Sequence, residues 1–254
     1  MLGRGANRWN AWTNYACRMR RLAGARELLD GSLDEQTLAA NLRDLARVNR
    51  WLGGAALSWR ALEPIIRGQQ SGAPLRLLDV GTGAADIPRV LLGWSADRYL
   101  LDVVATDVRP EIVRLAKLVG DQAPRFEVRL GSPDRIDEAD GSFDVVHASL
   151  VLHHLEPTDA VKFLRETARV ASQAVIVNDL ERARGWFVAA SLLTRLTTGN
   201  RYTRHDAPLS VRRAYRPNEL AQLARKAGLV EDARYRTRPG YRYAIAFRKR
   251  QDDE

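Results

Sequence analysis

The tightest constraint on this 254-residue chain is the run Leu77-Leu78-Asp79-Val80-Gly81-Thr82-Gly83-Ala84-Ala85-Asp86. A short apolar strand ends in an acid, two glycines follow one residue apart, and a helix begins. Glycines at this spacing let the backbone turn sharply and approach a ligand with no β-carbon in the way. A dinucleotide fingerprint has a third glycine where this chain has Asp86, because the pyrophosphate rests on the helix N-terminus. A carboxylate there repels a pyrophosphate, which disfavours a dehydrogenase. Together with Asp79 it suits a ligand that carries positive charge.

The surrounding texture predicts the sheet this turn belongs to. After Pro74, short apolar runs alternate with helical stretches, the βαβ signature of a parallel sheet covered on both faces. Strands are expected at Leu75 to Val80, Leu101 to Ala105, Phe126 to Leu130, Phe143 to Ala148 and Ala174 to Val177. Helices are expected from Asp86, from Pro110 to Leu118 and from Asp159 to Val170. An apolar helix, Trp186 to Leu196, then leads into an Arg-rich loop from Gly199 to Arg213. A helix, Pro217 to Ala227, and two strands, about Glu231 to Thr237 and Tyr241 to Phe247, complete the pattern. The fold class is α/β: a doubly wound, mostly parallel, seven-stranded Rossmann-like sheet. Ahead of it, residues 1–67 read as a helical segment, with Leu22, Leu28, Leu29, Leu38, Leu42, Leu45, Val48 and Leu52 at helical spacing. Ser32 and Asp34 supply helix-start chemistry, and Gly53-Gly54 a stop. The polar linker Gly68 to Pro74 separates this segment from a domain over residues 74–254, in which 181–215 form an insertion on the substrate side.

A second strand ends in Val103-Val104-Ala105-Thr106-Asp107, placing an acid 24 residues beyond Gly83. An acid there can accept hydrogen bonds from both hydroxyls of a ribose. The two motifs, in strand-turn-helix-strand order, predict a nucleoside-binding sheet. S-adenosylmethionine, with its sulfonium and ammonium groups, is a nucleoside ligand of the right charge.

Composition narrows the partners. The 40 Lys+Arg against 31 Asp+Glu give a formal charge of +9, which invites a nucleic-acid reading. Only four of the 40 are lysines (Lys117, Lys162, Lys226, Lys249), and such lopsided arginine usage fits a GC-rich genome better than phosphate contacts. Cys17 is the one cysteine, so no internal disulfide or Cys-rich zinc site can form. The longest near-apolar run, Trp186 to Leu193, is far shorter than the roughly 18 residues of a spanning helix. Residues 1–15 lack the apolar stretch of a signal peptide, and a cytoplasmic location is expected.

In order along the chain, Leu78-Asp79-Val80-Gly81-Thr82-Gly83, the acid Asp107, and Ser142-Phe143-Asp144-Val145-Val146-His147 followed by Leu152-His153-His154-Leu155 resemble motifs of the class I S-adenosylmethionine-dependent methyltransferases. The resemblance covers about residues 74 to 180 and is strongest to small-molecule enzymes such as the quinone-biosynthesis methyltransferases. Val177-Asn178-Asp179-Leu180-Glu181-Arg182, Arg204-His205-Asp206 and Leu209-Ser210-Val211-Arg212-Arg213 are further similar to bacterial enzymes associated with type III polyketide pathways. The resemblance implies S-adenosylmethionine as cofactor and S-adenosylhomocysteine as product. Asp79, Gly81, Thr82, Gly83, Asp86, Asp107, Val108 and Ala148 would contact the cofactor. The family often has Gly-Asp-Ala after the third strand, where this chain has Gly131-Ser132-Pro133-Asp134, so Ser132 or Asp134 would face the adenine.

Methyl transfer to a phenol or enol requires the acceptor to lose a proton, and histidine takes one near neutral pH. His205, His153 and His154 are the candidates, with His147 read as structural. Adjacent histidines on an extended chain point in opposite directions, so no metal site is expected. The apolar helix, with Trp9, Trp12 and Tyr15, could close a lipophilic or aromatic site. Arg195, Arg201, Arg204, Arg212 and Arg213 either bind an acidic group or form a solvated face. The expected activity is methyl transfer to oxygen, or carbon, of a small phenolic, quinone-like or polyketide acceptor. The alternatives are an RNA methyltransferase and a non-catalytic binding protein on the same fold. Against the first, the Asn/Asp-Pro-Pro-Tyr type is absent after the fourth strand, and Cys17 lies outside the sheet.

Overall fold

A computed structural model of the chain describes residues 19–31, 33–69, 72–120, 123–132 and 135–250. Trp9, Trp12, Tyr15, Cys17, Ser32 and Asp134 lie outside the described residues.

The strands are β1 Leu75–Val80, β2 Leu101–Asp107, β3 Phe126–Leu130, β4 Phe143–Ser149, β5 Ala171–Leu180, β6 Leu229–Arg236 and β7 Arg242–Lys249. They form one seven-stranded sheet in the order β3-β2-β1-β4-β5-β7-β6. Pairings from β3 through β5 are parallel, and β7 inserts antiparallel between β5 and β6. The order reverses between β1 and β4, so the carboxyl ends of those two strands flank the crevice where such sheets bind ligands. Two apolar cores follow from two covered faces. One packs Leu78, Val146, Val177 and Phe247 under Phe163, Leu164 and Leu220. The other packs Leu77, Val103, Val145 and Ile176 under Leu57, Leu62 and Leu91.

Flanking helices are α1 Glu35–Trp51, α2 Gly54–Arg67, α3 Asp86–Ser95, α4 Pro110–Gly120, α5 Pro157–Val170, α6 Arg184–Thr197, α7 Arg201–Arg213 and α8 Pro217–Lys226. Asp34 caps α1 by accepting from the Thr37 N–H at 2.8 Å, as its place before Leu38 predicts. Gly53, in the left-handed region at φ 75°, separates α1 from α2.

Two expectations are corrected. Residues 19–27 are not helical; they run as irregular chain into a single 3-10 turn at Leu28–Asp30. Long-range bonds hold them instead: the Leu22 N–H donates to Arg212 O, and Arg21 donates to backbone carbonyls of Arg213 and Leu155. The Arg-rich stretch expected as a loop is helix α7, started by Asn200, whose side chain accepts from the Tyr202 N–H at 3.0 Å. Pro208 sits inside α7, at a cost of one helical hydrogen bond. Packing of its buried face, including Val211 and Ser210, outweighs that cost.

Gly54 carries a tight approach. A β-carbon there would lie 2.5 Å from Nη1 of Arg242, a guanidinium that is 1% exposed and bonded on three sides. Gly54→Ala is expected to lower stability by about 1–3 kcal/mol through overpacking, measured by denaturant unfolding.

Candidate active site

The glycine turn is drawn against β2 by two hydrogen bonds. The N–H groups of Gly81 and Thr82 both donate to Thr106 O at 2.9 Å. Gly81 and Gly83 have φ of 73° and 56°, and a β-carbon on Gly81 would meet Val151 Cγ2 at 2.5 Å. Only glycine fits there. Asp107 is 7% exposed; its two oxygens accept from the N–H groups of Gly83 (3.0 Å) and Arg109 (3.1 Å). Burial raises the Asp107 carboxyl above the usual range, and those two N–H groups oppose the rise. The carboxylate is thus fixed in orientation, with acceptor capacity left for a ligand.

A cavity of about 1370 Å³ opens from this turn. It exceeds the roughly 300–1,000 Å³ of a single-ligand pocket, leaving room for a cofactor and a second molecule. One end is lined by Gly81, Thr82, Gly83, Asp86, Asp107 and Val108. Thr82 Oγ1 is buried there with no hydrogen-bond partner among the described residues, the mark of a group awaiting a polar ligand. Burial raises the Asp86 carboxyl, opposed first by the Asn49 side chain, which donates to it at 3.0 Å.

Apolar side chains make up much of the remaining lining. Trp186, Leu193, Tyr241, Leu155, Val211 and Phe163 are among these walls, and into the space between them project His153, His154 and Glu27. The two histidines lie in a 3-10 turn, Leu152–His154, not on extended chain. Their rings therefore stack on one side, with centroids 4.2 Å apart, which removes the geometric reason for expecting them to diverge. His153 is buried, and its Nδ1 is 2.7 Å from Asp179 Oδ1. Burial of Asp179 opposes ionisation, but His153 and the Leu180 N–H hold its carboxyl below the usual range. Glu27 is pushed upward by burial, against His154 and Ser210. Asp30 is held down at about 2; burial opposes this, and His154, the Glu27 N–H and Arg213 outweigh it.

The remaining residues singled out from sequence fall elsewhere. Asp79 is 2% exposed and does not line the cavity; its Oδ1 meets Nδ1 of His147 at 2.5 Å, and Nε2 of His147 reaches Ser58 Oγ at 2.8 Å. That chain ties β1 to β4 and α2, the structural role expected for His147. Ala148 is buried behind the wall, where Ser149 and Leu150 provide the lining. Ser132 is exposed and outside the wall. His205 has a half-exposed side chain bonded to Asp206 at 2.7 Å and does not line the cavity, whereas Asp206 and Ala207 do. Of the five arginines, Arg213 is buried and donates to His154 O, Arg204 donates to Thr198 O and Arg195 O at the end of α6, and Arg201 and Arg212 lie over the rings of Tyr202 and Phe187. Glu27, Asp30, Asn49 and Arg242 carry no local sequence signal. They reach the site only through the tertiary fold.

Comparison with known proteins agrees with this geometry. Residues 78–177 match the family described as a methyltransferase domain. The chain is 31% identical over 202 residues to the ubiquinone biosynthesis O-methyltransferase of Xanthomonas oryzae pv. oryzae, covering 74% of this chain and 79% of that protein. It belongs to the S-adenosylmethionine-dependent methyltransferases. A demethylmenaquinone methyltransferase of Roseiflexus sp. is 30% identical over 195 residues, covering 72% of this chain and 78% of the relative. In fold, the chain superposes on a crystal structure of an S-adenosylmethionine-dependent methyltransferase from Aquifex aeolicus with TM-score 0.56 and 21% identity, over 85% of this chain and 98% of that one. The cofactor of this methyltransferase is S-adenosylmethionine, and the glycine turn with its orphaned Thr82 hydroxyl and oriented Asp107 fits it.

Asp107→Ala is expected to weaken S-adenosylmethionine binding by about 1–3 kcal/mol, by removing buried hydrogen bonds. Calorimetric titration checks this, and unchanged affinity would remove Asp107 from the cofactor site.

Proposed function

We propose that this methyltransferase methylates an oxygen of a small phenolic, quinone-like or polyketide-derived acceptor held in the apolar half of the cavity. The observation that carries the reading is the group formed by His153, His154 and Glu27, set among apolar walls in the same cavity as the cofactor turn. The quinone-pathway names of two relatives support an aromatic, lipophilic acceptor. No described helix is long and apolar enough to cross a membrane, and we place the reaction in the cytoplasm.

The cofactor supplies an electrophilic methyl on a sulfonium. What the protein adds is position, dryness and control of one proton. The apolar walls exclude water, so an acceptor stacked among Trp186, Leu193 and Tyr241 meets the methyl in line without competition from hydrolysis. The acceptor hydroxyl gives up its proton at the His153–His154–Glu27 group. Asp179 fixes the His153 ring with Nε2 towards the cavity. In the N-terminal part, α1 covers the cofactor end through Leu42, Leu45 and Asn49, while Glu27 and Asp30 close the acceptor end. On this reading the described residues between 19 and 67 act as a lid, and 181–215 as the acceptor-side insertion of the 74–254 domain.

Screening phenols, catechols and hydroxyquinones with S-adenosylmethionine, and following the methyl mass gain, tests the activity. Methylation of RNA with a steep salt dependence, or cofactor binding without turnover of any aromatic acceptor, would overturn the reading. Among variants, His153→Ala should lower kcat by about 100-fold or more with cofactor affinity intact. His205→Ala should leave kcat within a few-fold, and a large loss there would return the proton to His205.

A further inference from the structure

We propose that Glu27, His153 and His154 hold one divalent transition-metal ion, with a coordination position open to the acceptor cavity. One ligand atom from each side chain lies within 4.8 Å of the other two. Nδ1 of His153 is 2.7 Å from Asp179 Oδ1, and Nδ1 of His154 is 3.3 Å from Asp30 Oδ1. Carboxylates only accept, which favours a hydrogen on each Nδ1; in the neutral rings the lone pair is then on Nε2. Both lone pairs face Glu27, with His153 Nε2 at 3.7 Å from Oε1 and His154 Nε2 at 3.9 Å from Oε2. These separations are too long for hydrogen bonds.

Electron-pair donors turned towards one another repel unless a cation lies between them. Two imidazoles and a carboxylate are a ligand set of catalytic zinc, which keeps a further position open. A carboxylate on the far nitrogen is also how ligating histidines are oriented and made more basic. With bonds of roughly 2.0–2.2 Å, ligand atoms of a tetrahedral ion sit about 3.4 Å apart, so the gaps to Glu27 need close only slightly. Charge agrees. Glu27, Asp30 and Asp179 face the two rings and Asp206 acts on Glu27, against two guanidiniums: Arg213, whose Nη1 is 4.0 Å from Glu27 Oε1 and 3.5 Å from Asp30 Oδ2, and Arg21, which donates to His153 O at 3.3 Å. Ser210 donates to Glu27 Oε1 at 2.8 Å and holds the carboxylate in place.

Binding of the ion stands on this cluster alone; what occupies its open position rests on the proposed methyl transfer. There, the ion takes the place of the histidines as the group that draws off the proton: the acceptor hydroxyl oxygen bonds to it, and the proton is lost to solvent as the acceptor enters. An oxygen lone pair then forms the C–O bond as the C–S bond breaks and its electron pair returns to sulfur. The ion thus acidifies the acceptor, with the two histidines as ligands.

The test uses the full-length chain stripped with a chelator and titrated calorimetrically with Zn²⁺, with neither cofactor nor acceptor present. One equivalent should bind, with affinity falling at least 100-fold in Glu27→Gln and His154→Ala, and about 10–100-fold in Asp30→Asn. Circular dichroism establishes that each variant is folded. Co²⁺ in the same site should give visible absorption bands that shift when catechol is added. No stoichiometric binding by folded protein, or unchanged binding in Glu27→Gln, overturns the site and leaves a proton in the gap. Cobalt bands indifferent to catechol overturn the open position. Full-rate methylation of a phenol by metal-free protein overturns the role of the ion while leaving the methyl-transfer reading intact.

Discussion

The buried guanidinium of Arg242 is the constraint around which the cofactor end is organised. It enters from β7, the one strand that runs against the others, and donates to Asn178 on β5 at 2.6 Å, Ser149 at the end of β4 at 2.7 Å and Asn49 on α1 at 2.6 Å. Burial lowers its affinity for the proton, opposed by Tyr241, Asp179 and Asp86. A charge so placed is tolerated only when hydrogen-bonded on every side, and removing any one partner leaves an uncompensated group. Asn49 passes the constraint on, since its amide donates to Asp86 beside the glycine turn. The register of α1 over the glycine turn is therefore fixed from β7.

The acceptor end has its own anchor. Arg21, on the non-helical segment ahead of α1, donates to the carbonyls of His153, Leu155 and Arg213 and to Glu156. Asp206 of α7 accepts from the N–H groups of Leu28 and Leu29. Together these hold Glu27 over the paired histidines. Both ends of one cavity thus depend on the N-terminal part of the chain, which explains how α/β sheet residues and a segment outside the sheet come to share a single site.

What was legible in the sequence is what local chemistry determines. Strands β1 and β3, the glycine turn and the acid at the end of β2 follow from spacing and composition within a few residues, and the structure places them as read. Asp79 illustrates the limit: its position at the strand end is legible, but its engagement by His147 requires knowing that β1 and β4 are neighbours in register at those two residues. The α7 helix was hidden by its charge and by Pro208, since its apolar contacts are few and the Asn200 cap is a single residue. Glu27 was invisible for a different reason. It lies 126 residues before His153, in a stretch whose leucine spacing imitates a helix, and only the long-range bonds of residues 19–27 reveal where it goes.

The arginine excess acquires a physical meaning once those bonds are traced. Arg21, Arg169, Arg182, Arg213 and Arg242 each donate to backbone carbonyls or buried side chains, and five donors in a planar fork let one guanidinium tie three or four segments at once. Lysine, a compact and strongly hydrated charge, could not make these bonds without a heavier desolvation cost. These five charges are therefore used inside the fold, Arg21, Arg182 and Arg213 joining the N-terminal segment, the 3-10 turn of His153–His154 and the end of α7, and they are correspondingly unavailable to a phosphate backbone. The same accounting favours a small neutral or weakly acidic acceptor over a polyanion. Arg109 and Arg236 on the cavity wall are committed to Glu111 and Glu181, and the wall carries, beside its apolar side chains, two imidazoles and the carboxylates of Glu27, Asp30 and Asp206.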